Sequence, residues 1–542
     1  MAQPSIDNHG DYARIIANGQ PMLMIGGELG NSSASVPADI KASLYRCAKL
    51  GLNTVLVPVT WCQLEPTEGE FDLGLVDCIL DEAKANDLKV VLLWFGAWKN
   101  SMSCYAPDWV KTDTSRFPRA HVASGRPVEE ASSLSANVLE ADKRAFCRLL
   151  EHLHDNDKDE TVVMVQVENE IGMIESPRDY SADATAMYNG PVPDQLLDYL
   201  AENFDKLHPY MRERLKKGGK GKTWGEMFGD DIYAEEIFQT WTYALYVQQM
   251  IEAGRKVYDL PMYVNVALDS RGRLPGQYPS GGPLAQLIDV WHCGAPGVDV
   301  LGVDIYDKDF PGWLNRYHLH NNPLFIPEGR LEDRDAMYAL YAFGHHDAMG
   351  FCPFSIEDYP VYASQGAADW SDIDLSVDDQ INVYGATGRQ LSPLVAAYRL
   401  LRQAEPLILQ RQGTDDMDAV LLDNETRQAE LVTPDSVRVT IRHSLSLGWE
   451  PASRDSVWSE AACLLIRLGE MDYLAIGSDA VLTFAPADGE GQKGILSCDE
   501  VEISDGKITP IRHLNGDQTH QGRHVRIPHG QFAMQRFRLY KY

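Results

Sequence analysis

Short apolar runs alternate with amphipathic stretches between Pro21 and about residue 405. Several of these runs are rich in Val, Ile and Leu, as expected of strands that are covered on both faces of a parallel sheet. Eight runs are predicted as strands, namely PMLMIGGEL from Pro21, NTVLVPVTW from Asn53, KVVLLWFGAW from Lys89, TVVMVQVENE from Thr161, MYVNVAL from Met262, DVLGVDIY from Asp299, PLFIPEGR from Pro323 and GFCPFSIED from Gly350. Eight strands with intervening helices predict a (β/α)8 barrel, and an open doubly wound sheet is the alternative.

The stretches between the strands have helical periodicity. In DIKASLYRCAKLG, Ile40, Leu44 and Cys47 recur at helical spacing, and Gly51 stands where a C-terminal cap belongs. A second pattern, ANVLEADKRAFCRLLEHL, carries an apolar stripe along one side. These patterns predict helices that pack one face against the sheet.

Two predicted connections are long for a compact domain, residues 171–260 after the fourth strand and residues 359–378 after the eighth. Both leave the carboxyl ends of strands, where barrel enzymes build their clefts. The first contains the run KKGGKGKT, in which Lys216 occupies the place of the leading glycine of a phosphate-binding loop. That run is therefore interpreted as a solvated loop.

The pattern changes after the helical stretch GRQLSPLVAAYRLLRQAEPLI. Short alternating runs such as DAVLLD, VRVTIRH, ACLLIRL and DYLAIG follow, separated by Gly, Asp and Pro turns. The sequence thus predicts a (β/α)8 barrel at residues 1–411 and an all-β, sandwich-like domain at residues 412–542. No carboxylate pair or histidine cluster in the second domain resembles a site, so a structural role is favoured there.

The charge balance argues against nucleic acid and anionic lipid as partners. The 48 Lys and Arg residues stand against 79 Asp and Glu residues, giving a formal net charge of −31, which would repel phosphate groups. No apolar stretch approaches the length of a membrane span, and the first residues lack a secretory pattern. A cytoplasmic location is predicted, with a periplasmic or secreted protein that has lost its leader as the alternative.

The nine cysteines are scattered, odd in number and without a CxxC pair, so they are interpreted as reduced core residues. Histidine pairs such as His318 with His320 lack matching ligands nearby, and DNDKDE from Asp155 lacks the glycine and closing Glu of a calcium loop. The sequence predicts neither a metal nor a cofactor.

Two glutamates close predicted barrel strands. Hydrolysis of a glycosidic bond needs one carboxylic acid to protonate the leaving oxygen and one carboxylate to meet the positive charge at the anomeric carbon. Glu170 ends the fourth strand and Glu328 ends the seventh, so both are expected on the same rim of the barrel. A glutamate at a strand end is also commonly a salt-bridged scaffold residue.

The sequence around these glutamates resembles clan A glycoside hydrolases. In that clan the acid/base Glu follows an Asn on the fourth strand, as in Asn169-Glu170, and the nucleophile closes the seventh. The run VQVENEIG resembles the acid/base segment of glycoside hydrolase family 35, the β-galactosidases. TWCQLEPTEGEFDL resembles a signature that family 35 shares with family 42, and YAPDWV resembles a further family segment.

This resemblance covers roughly the first 400 residues. It implies a retaining enzyme with Glu170 as acid/base and Glu328 as nucleophile. The expected activity is that of an exo-acting β-galactosidase, which releases terminal β-galactose from oligosaccharides of the plant cell-wall type. A homodimer is expected from the family.

The chain departs from the family at the third strand. The usual Ala-Glu-Trp, whose Glu helps to hold the galactose hydroxyls, is replaced by Phe95-Gly96-Ala97-Trp98, followed by Lys99-Asn100. The segment IPEGR around the seventh-strand glutamate also differs. The chain therefore resembles a divergent bacterial branch, and a β-glucosidase or β-mannosidase is the alternative.

Further residues are predicted to bind the sugar. The resemblance and the strand ends together imply that Asn169 donates to the 2-hydroxyl and that Tyr306 hydrogen bonds to Glu328. Glu28, at the end of the first strand, is a candidate for binding hydroxyls. The alternative is that Glu28 is a buried partner of an arginine such as Arg330.

Aromatic and polar residues of the rim loops complete the predicted site. Trp61, Trp98 and Trp109 lie on successive rim loops, and aromatic faces suit the C–H faces of a pyranose, but packing is the favoured role for any single ring. Asn100 and Glu357 are also predicted to reach the cleft.

Two other classes of function are considered. In a metal-dependent hydrolase the first strand would be expected to end in His-x-His, but here it ends Gly-Gly-Glu. A non-catalytic sugar-binding barrel is disfavoured because both carboxylates are present. Sugar binding without turnover would support it.

Overall fold

A computed structural model of the chain describes residues 3–216, 219–269, 272–319, 321–363 and 391–542. Within these ranges the first strands are β1 (Ser5–Asn8), β2 (Ala13–Ala17), β3 (Gln20–Met22), β4 (Met24–Glu28), β5 (Thr54–Thr60), β6 (Lys89–Lys99), β7 (Arg119–His121), β8 (Pro127–Ala131), β9 (Val162–Asn169), β10 (Met262–Val264), β11 (Val300–Leu301), β12 (Asp304–Ile305), β13 (Phe325–Ile326), β14 (Glu328–Gly329) and β15 (Gly350–Phe351). The later strands are β16 (Met417–Leu422), β17 (Gln428–Val432), β18 (Val437–His443), β19 (Ala461–Gly469), β20 (Asp472–Pro486), β21 (Lys493–Ser504), β22 (Lys507–His513) and β23 (Val525–Lys541).

The α-helices of the described ranges are α1 (Pro37–Lys49), α2 (Trp61–Leu64), α3 (Gly74–Ala85), α4 (Asp108–Thr112), α5 (Ala136–Asn156), α6 (Ala182–Tyr188), α7 (Asp194–Glu202), α8 (Pro209–Arg214), α9 (Trp224–Phe228), α10 (Ile232–Val257), α11 (Ile288–Gly294), α12 (Phe310–Tyr317), α13 (Asp335–His345) and α14 (Pro393–Arg411). None of them is both long and apolar enough to cross a membrane.

Eight parallel strand positions form a closed barrel. In barrel order these positions are β4, β5, β6, β9, β10, β11 with β12, β13 with β14, and β15. One sheet runs in the order β11-β10-β9-β6-β5-β4-β15-β13. The parallel pairing of β12 with β14, which sets Asp304 opposite Glu328, joins the sixth position to the seventh and closes the barrel. The eight predicted strands and the (β/α)8 barrel are therefore confirmed, and the open-sheet alternative is wrong.

The continuous apolar runs are explained by burial on both faces. One set of side chains, including Met24, Leu56, Leu93, Tyr263 and Phe325, fills the barrel interior and is almost entirely inaccessible to solvent. The alternate set packs outward against the helices. Each fully buried apolar side chain stabilises the fold by about 1.5–3 kcal/mol relative to an exposed one.

The barrel helices follow the predicted pattern. Helix α1 buries Ile40, Leu44 and Cys47, and Gly51 just beyond its end has a φ of 88°, a left-handed conformation that glycine adopts without a steric penalty. All nine cysteines are free thiols, as predicted, but only five of them are buried, so the predicted core position is wrong for the other four, of which Cys104 is exposed.

The connection after the fourth strand forms helices α6 to α10. The longest of these helices, α10, begins at a cap in which the Asp231 carboxylate accepts from the N–H groups of Tyr233 and Ala234, both at 3.1 Å. The predicted loop at residues 216–223 is described except for residues 217 and 218. Most of the predicted long connection at residues 359–378 lies outside the described residues.

The C-terminal region is all-β, as predicted. Strands β16 to β23 form one antiparallel sheet in the order β16-β19-β20-β23-β21-β22, and β18 joins β17 to β20. The sheet packs on helix α13, where Gly344 approaches Ala419 and Leu464. Helix α14 ends at Arg411, and we propose residue 412 as the start of this domain.

Candidate active site

Three carboxyl groups meet at the carboxyl ends of the fourth, sixth and seventh barrel strands. One oxygen from each of Glu170, Asp304 and Glu328 lies within 4.8 Å of the other two, and all three residues are buried. The structure therefore brings the two predicted glutamates together. Asp304 was not predicted as part of the site.

Glu328 lies on β14 and is held by its neighbour on the sixth strand. The Tyr306 hydroxyl donates a hydrogen bond to Glu328 Oε1, as predicted, while Oε2 has no partner among the described residues. Burial, and then the charge of Glu170, raise the pKa of Glu328 to about 7, and both Lys99 and the Tyr306 hydrogen bond oppose this rise.

Glu170 is fixed by two asparagines. Its N–H group donates to Asn265 Oδ1 at 2.9 Å, and Asn100 Nδ2 donates to Glu170 Oε2. The backbone φ of Glu170 is 44°, a conformation that non-glycine residues adopt rarely and at a cost in free energy. The surrounding contacts therefore hold this carboxyl group in one orientation.

Asp304 links the other two acids. Asn265 Nδ2 donates to Asp304 Oδ2 at 2.7 Å, and the Asp304 carboxyl also hydrogen bonds to that of Glu170. Burial, followed by the charges of Glu328 and Glu170, raises the pKa of Asp304 well above its usual range. The Asp304 carboxyl group therefore holds a proton more readily than an ordinary aspartate does.

Glu28 closes the first strand beside this cluster. The residue is fully buried and neither carboxylate oxygen has a hydrogen-bond partner within the described ranges. Burial and then the charge of Glu328 raise its pKa, and Lys99 lowers it. The alternative of an ion pair with Arg330 is wrong, because the Arg330 guanidinium lies 3.9 Å from Glu332 instead.

Asn169 and Glu357 also present unused polar atoms. Both amide atoms of buried Asn169 are without partners in the described structure. Glu357 Oε1 accepts from the N–H group of Gly30 at 2.9 Å and from the Ser33 hydroxyl, while Oε2 has no partner there. Buried polar atoms without partners are costly, so these groups are suited to binding ligand hydroxyls.

Two of the three tryptophans that were predicted for the rim are packing residues. Trp61 and Trp98 are fully buried, and Trp98 packs edge-on against Tyr243 and Tyr246 at centroid distances of 5.6 and 4.7 Å. Trp61 packs at 5.8 Å against Trp109. Both rings therefore have a packing role, Trp98 against helix α10 and Trp61 against Trp109 of helix α4.

The TWCQLEPTEGEFDL segment is a scaffold for the loop after the second strand. The buried carboxylate of Glu65 accepts from Trp61 Nε1 at 2.9 Å and from the Gly69 N–H group at 2.8 Å. It also pairs with Arg144 of helix α5 at 2.7 Å. The motif thus fixes the loop rather than contributing a reactive group.

Lys99 was noted in the sequence only as a departure from the family. It ends the third strand, is 4% exposed, and its ammonium lies 5.0 Å from the centre of the Phe95 ring. Its charge acts on both Glu28 and Glu328. The sequence signal that could have identified Lys99 and Asp304 is a charged residue near the end of an apolar strand.

Three carboxyl groups at this spacing are also a possible set of ligands for a hard cation. Calcium takes six to eight oxygen ligands, whereas Asp304 already accepts a hydrogen bond from Asn265 and shares another with Glu170. The arrangement fits proton transfer better than metal binding.

A cavity of about 270 Å³ opens beside the cluster on the outer side of the sixth and seventh strands. Its lining includes Tyr306, Gly329, Arg330 and the stacked rings of Phe310 and Tyr338. The side chains of Glu170, Asp304 and Glu328 are not among the residues that line this cavity.

Comparison with known families gives two matches. The glycoside hydrolase family 42 model, described as β-galactosidase, matches residues 35–232. A model described as a domain of unknown function matches residues 394–526. The first match covers the second, third and fourth barrel strands (β5, β6 and β9) and includes Glu170, and it does not select family 35.

A curated β-galactosidase from Xanthomonas manihotis is 27% identical over 200 residues, which are 36% of this chain and 31% of that relative. The chain therefore matches about one third of that relative's length.

Solved structures with a similar arrangement include a β-galactosidase from Bacillus circulans sp. alkalophilus, at 13% identity and a TM-score of 0.46, covering 73% of this chain and 58% of that one. An exo-β-1,4-mannosidase from Opitutaceae bacterium strain TAV5 has 15% identity and a TM-score of 0.40, covering 76% and 63%. The fold assignment rests on the strand order of this chain and not on these likenesses.

Proposed function

We propose that this chain is a retaining β-glycosidase, most specifically a β-galactosidase, with Glu170 as acid/base and Glu328 as nucleophile. The observation that carries the proposal is the approach of their carboxylate oxygens to within 4.8 Å at the ends of the fourth and seventh strands. Retaining enzymes hold their two carboxyl groups about 5–5.5 Å apart, whereas inverting enzymes leave about 6.5–9.5 Å for a water molecule.

In the first step the ionised Glu328 attacks the anomeric carbon while Glu170 protonates the leaving oxygen. The Tyr306 hydroxyl steadies the attacking carboxylate, and Asn100 orients the acid. The free amide of Asn169 is available to the 2-hydroxyl, where a hydrogen bond strengthens as the ring flattens.

In the second step Glu170, now ionised, acts as a base and activates water, which releases the sugar from Glu328. Two inversions return the anomeric configuration of the substrate.

The proposed sugar is terminal β-galactose on an oligosaccharide of the plant cell-wall type. Support comes from the β-galactosidase descriptions of the matching family model and relative. The finer assignment to family 35 rests on VQVENEIG and its neighbouring segments. A β-glucosidase or β-mannosidase is the alternative because the third strand departs from Ala-Glu-Trp, and a homodimer remains part of the proposal.

The test replaces Glu328 with Gly and supplies azide. We expect loss of hydrolysis and formation of an α-galactosyl azide from an activated β-galactoside, because azide fills the space of the missing carboxylate. Glu357→Gly is the matched control, since it removes a buried carboxylate without removing the nucleophile. Absence of the azide product, or its formation by the control variant alone, would overturn the assignment of Glu328.

Substrate class is tested separately with the unmodified protein. Hydrolysis rates for p-nitrophenyl β-galactoside, β-glucoside and β-mannoside rank the sugars, and NMR of the first product gives its anomeric configuration. We expect the highest rate with the galactoside and an initial β-product. An initial α-product would contradict the retaining mechanism, and binding without turnover of any of the three would favour a sugar-binding protein.

A further inference from the structure

The third barrel strand carries a bulge beside the proposed site. Its pairing with β9 is continuous from Val91 to Trp94 and resumes at Lys99. Residues 95–98 therefore lie against the single residue Glu168. A bulge of this size leaves backbone N–H groups without partners in the sheet, and buried N–H groups require acceptors.

Two buried carboxyl groups supply these acceptors. The N–H group of Ala97 donates to Asp142 Oδ2 at 3.2 Å, and that of Trp98 donates to Glu168 Oε2 at 2.7 Å. Asp142 lies on helix α5 and Glu168 on β9, so the bulge is held from two elements. Both acids are fully or almost fully buried.

The two acids also hydrogen bond to each other. Asp142 receives further hydrogen bonds from Trp94 Nε1 and from the Tyr246 hydroxyl of helix α10, both at 2.8 Å. Burial, and then the charge of Asp142, raise the pKa of Glu168 well above its usual range. Burial and both carboxyl groups raise the pKa of Tyr246, so this facing hydroxyl stays protonated. A hydrogen bond between two carboxyl groups requires one proton between them.

Gly96 shows how closely the acids approach the bulge. An ideal Cβ placed on this residue would lie 2.7 Å from Asp142 Oδ1, 2.8 Å from Glu168 Oε1 and 2.3 Å from Trp94 Nε1. No side chain fits at these distances. A glycine at position 96 is therefore required for the two acids to approach the backbone of the bulge.

Asn100, two residues beyond the bulge, contacts the proposed acid/base. Asn100 has a φ of 48°, in the left-handed region that asparagine tolerates better than most residues. Its N–H group donates to the Asn169 carbonyl at 3.2 Å, and its side chain donates to Glu170. Displacing residues 96–98 would move this donor.

We propose that Asp142 and Glu168 are positioning residues that share one proton and hold the Gly96–Asn100 segment, so that Asn100 orients the carboxyl group of Glu170. The proposal rests on the proposed role of Glu170 as acid/base. It differs from a purely structural role because it couples two residues outside the cleft to one step of the reaction, protonation of the leaving group.

Leaving-group dependence provides the test. A dinitrophenyl β-galactoside needs little protonation, whereas a methyl β-galactoside depends on the acid. We expect Glu168→Ala to lower kcat/KM for the methyl glycoside by at least about tenfold, a part of the roughly 10²–10⁴-fold that a general acid contributes, and to change that of the dinitrophenyl glycoside far less. Glu168→Gln should restore both values, because its amide donates to Asp142 and its oxygen accepts from Trp98.

A double-mutant cycle with Asn100→Ala separates positioning from general damage. We expect Glu168→Ala to have little further effect once Asn100 has been removed, since both act through the same hydrogen bond. Equal losses for both glycosides, or additive losses in the cycle, would overturn the proposal. If Glu168→Ala does not fold, Glu168→Asp, which is too short to reach both partners, takes its place with the same criteria.

Glu170→Gly is the reference variant. If Glu170→Gly lowers kcat/KM equally for the methyl and dinitrophenyl glycosides, the acid/base assignment itself is wrong. If it discriminates and Glu168→Ala does not, the assignment stands and the positioning proposal fails.

Discussion

Glu328 must be ionised to attack, yet burial and the charge of Glu170 raise its pKa to about 7. The carboxylate form is lost as the pH falls through this value. We therefore expect kcat/KM, which reports the free enzyme, to have an acidic limb near pH 7. The measurement is a pH profile with an activated β-galactoside.

Tyr306→Phe extends this prediction. The Tyr306 hydrogen bond lowers the pKa of Glu328, so its removal should shift the acidic limb to higher pH. Tyr341→Phe, which changes a partly buried tyrosine of helix α13, is the control. An unshifted limb in Tyr306→Phe would contradict the role of this hydrogen bond.

At the scale of single residues, the sequence identified side chains at strand ends but not their neighbours. Glu170 and Glu328 were found because each closes an apolar strand and matches a family segment. Asp304 was missed because its carboxyl group becomes significant only when the sixth strand is closed against the seventh. The burial of Trp61 and Trp98 depends on helices from distant parts of the chain, which strand position alone does not predict.

In the β domain, an ion pair links strand β19 to the turn between β17 and β18. Arg467 on β19 binds Asp435 through Nε–Oδ2 and Nη2–Oδ1 contacts of 2.8 Å each. These hydrogen bonds, more than any other cause, lower the pKa of Asp435 to about 2. The lowered pKa means that the ionised carboxylate stabilises the folded state at pH values above the usual range for Asp.

We expect Asp435→Asn to lower the free energy of unfolding at neutral pH. The difference from the unmodified protein should shrink as the pH falls from about 4 towards 2, where the wild-type carboxylate also becomes protonated. Glu430→Gln is the control, because its pairing with Arg438 is exposed and such pairs contribute about 0–1 kcal/mol. Denaturant unfolding at several pH values measures both variants, and a pH-independent difference would contradict the prediction.

The existence and type of the elements were predictable, but their interruptions were not. The fourth strand is continuous, as its apolar run indicates, whereas the sixth and seventh each divide into two short segments. The bulge at residues 95–98 falls within an apolar run that has no turn signal except Gly96. Its cause is a pair of acids contributed by α5 and β9, which local periodicity does not encode.

For the molecule as a whole, the barrel and the β domain share an apolar contact. Gly344 of helix α13 is so close to the β sheet that an ideal Cβ would lie 2.6 Å from Ala419 Cβ and 2.8 Å from Leu464 Cγ. We expect Gly344→Val to destabilise the protein by about 1–3 kcal/mol, the usual cost of overpacking.

Calorimetry measures this prediction. Because the two regions pack through this contact, we expect one unfolding transition that moves to lower temperature in Gly344→Val. Gly469→Val is the control, since no atom lies within 4 Å of its Cβ position. A shift confined to one of two separate transitions would show that the regions unfold independently.

The dependence of the third-strand bulge on two outside acids also limits redesign. Restoring the family's Ala-Glu-Trp by point substitution would place new side chains where Gly96 leaves no room. We expect a transplant of sugar specificity to succeed only when the segment is exchanged together with Asp142 and Glu168. The difference from the family at this position thus involves the third-strand segment and both acids, and a single mutation does not reverse it.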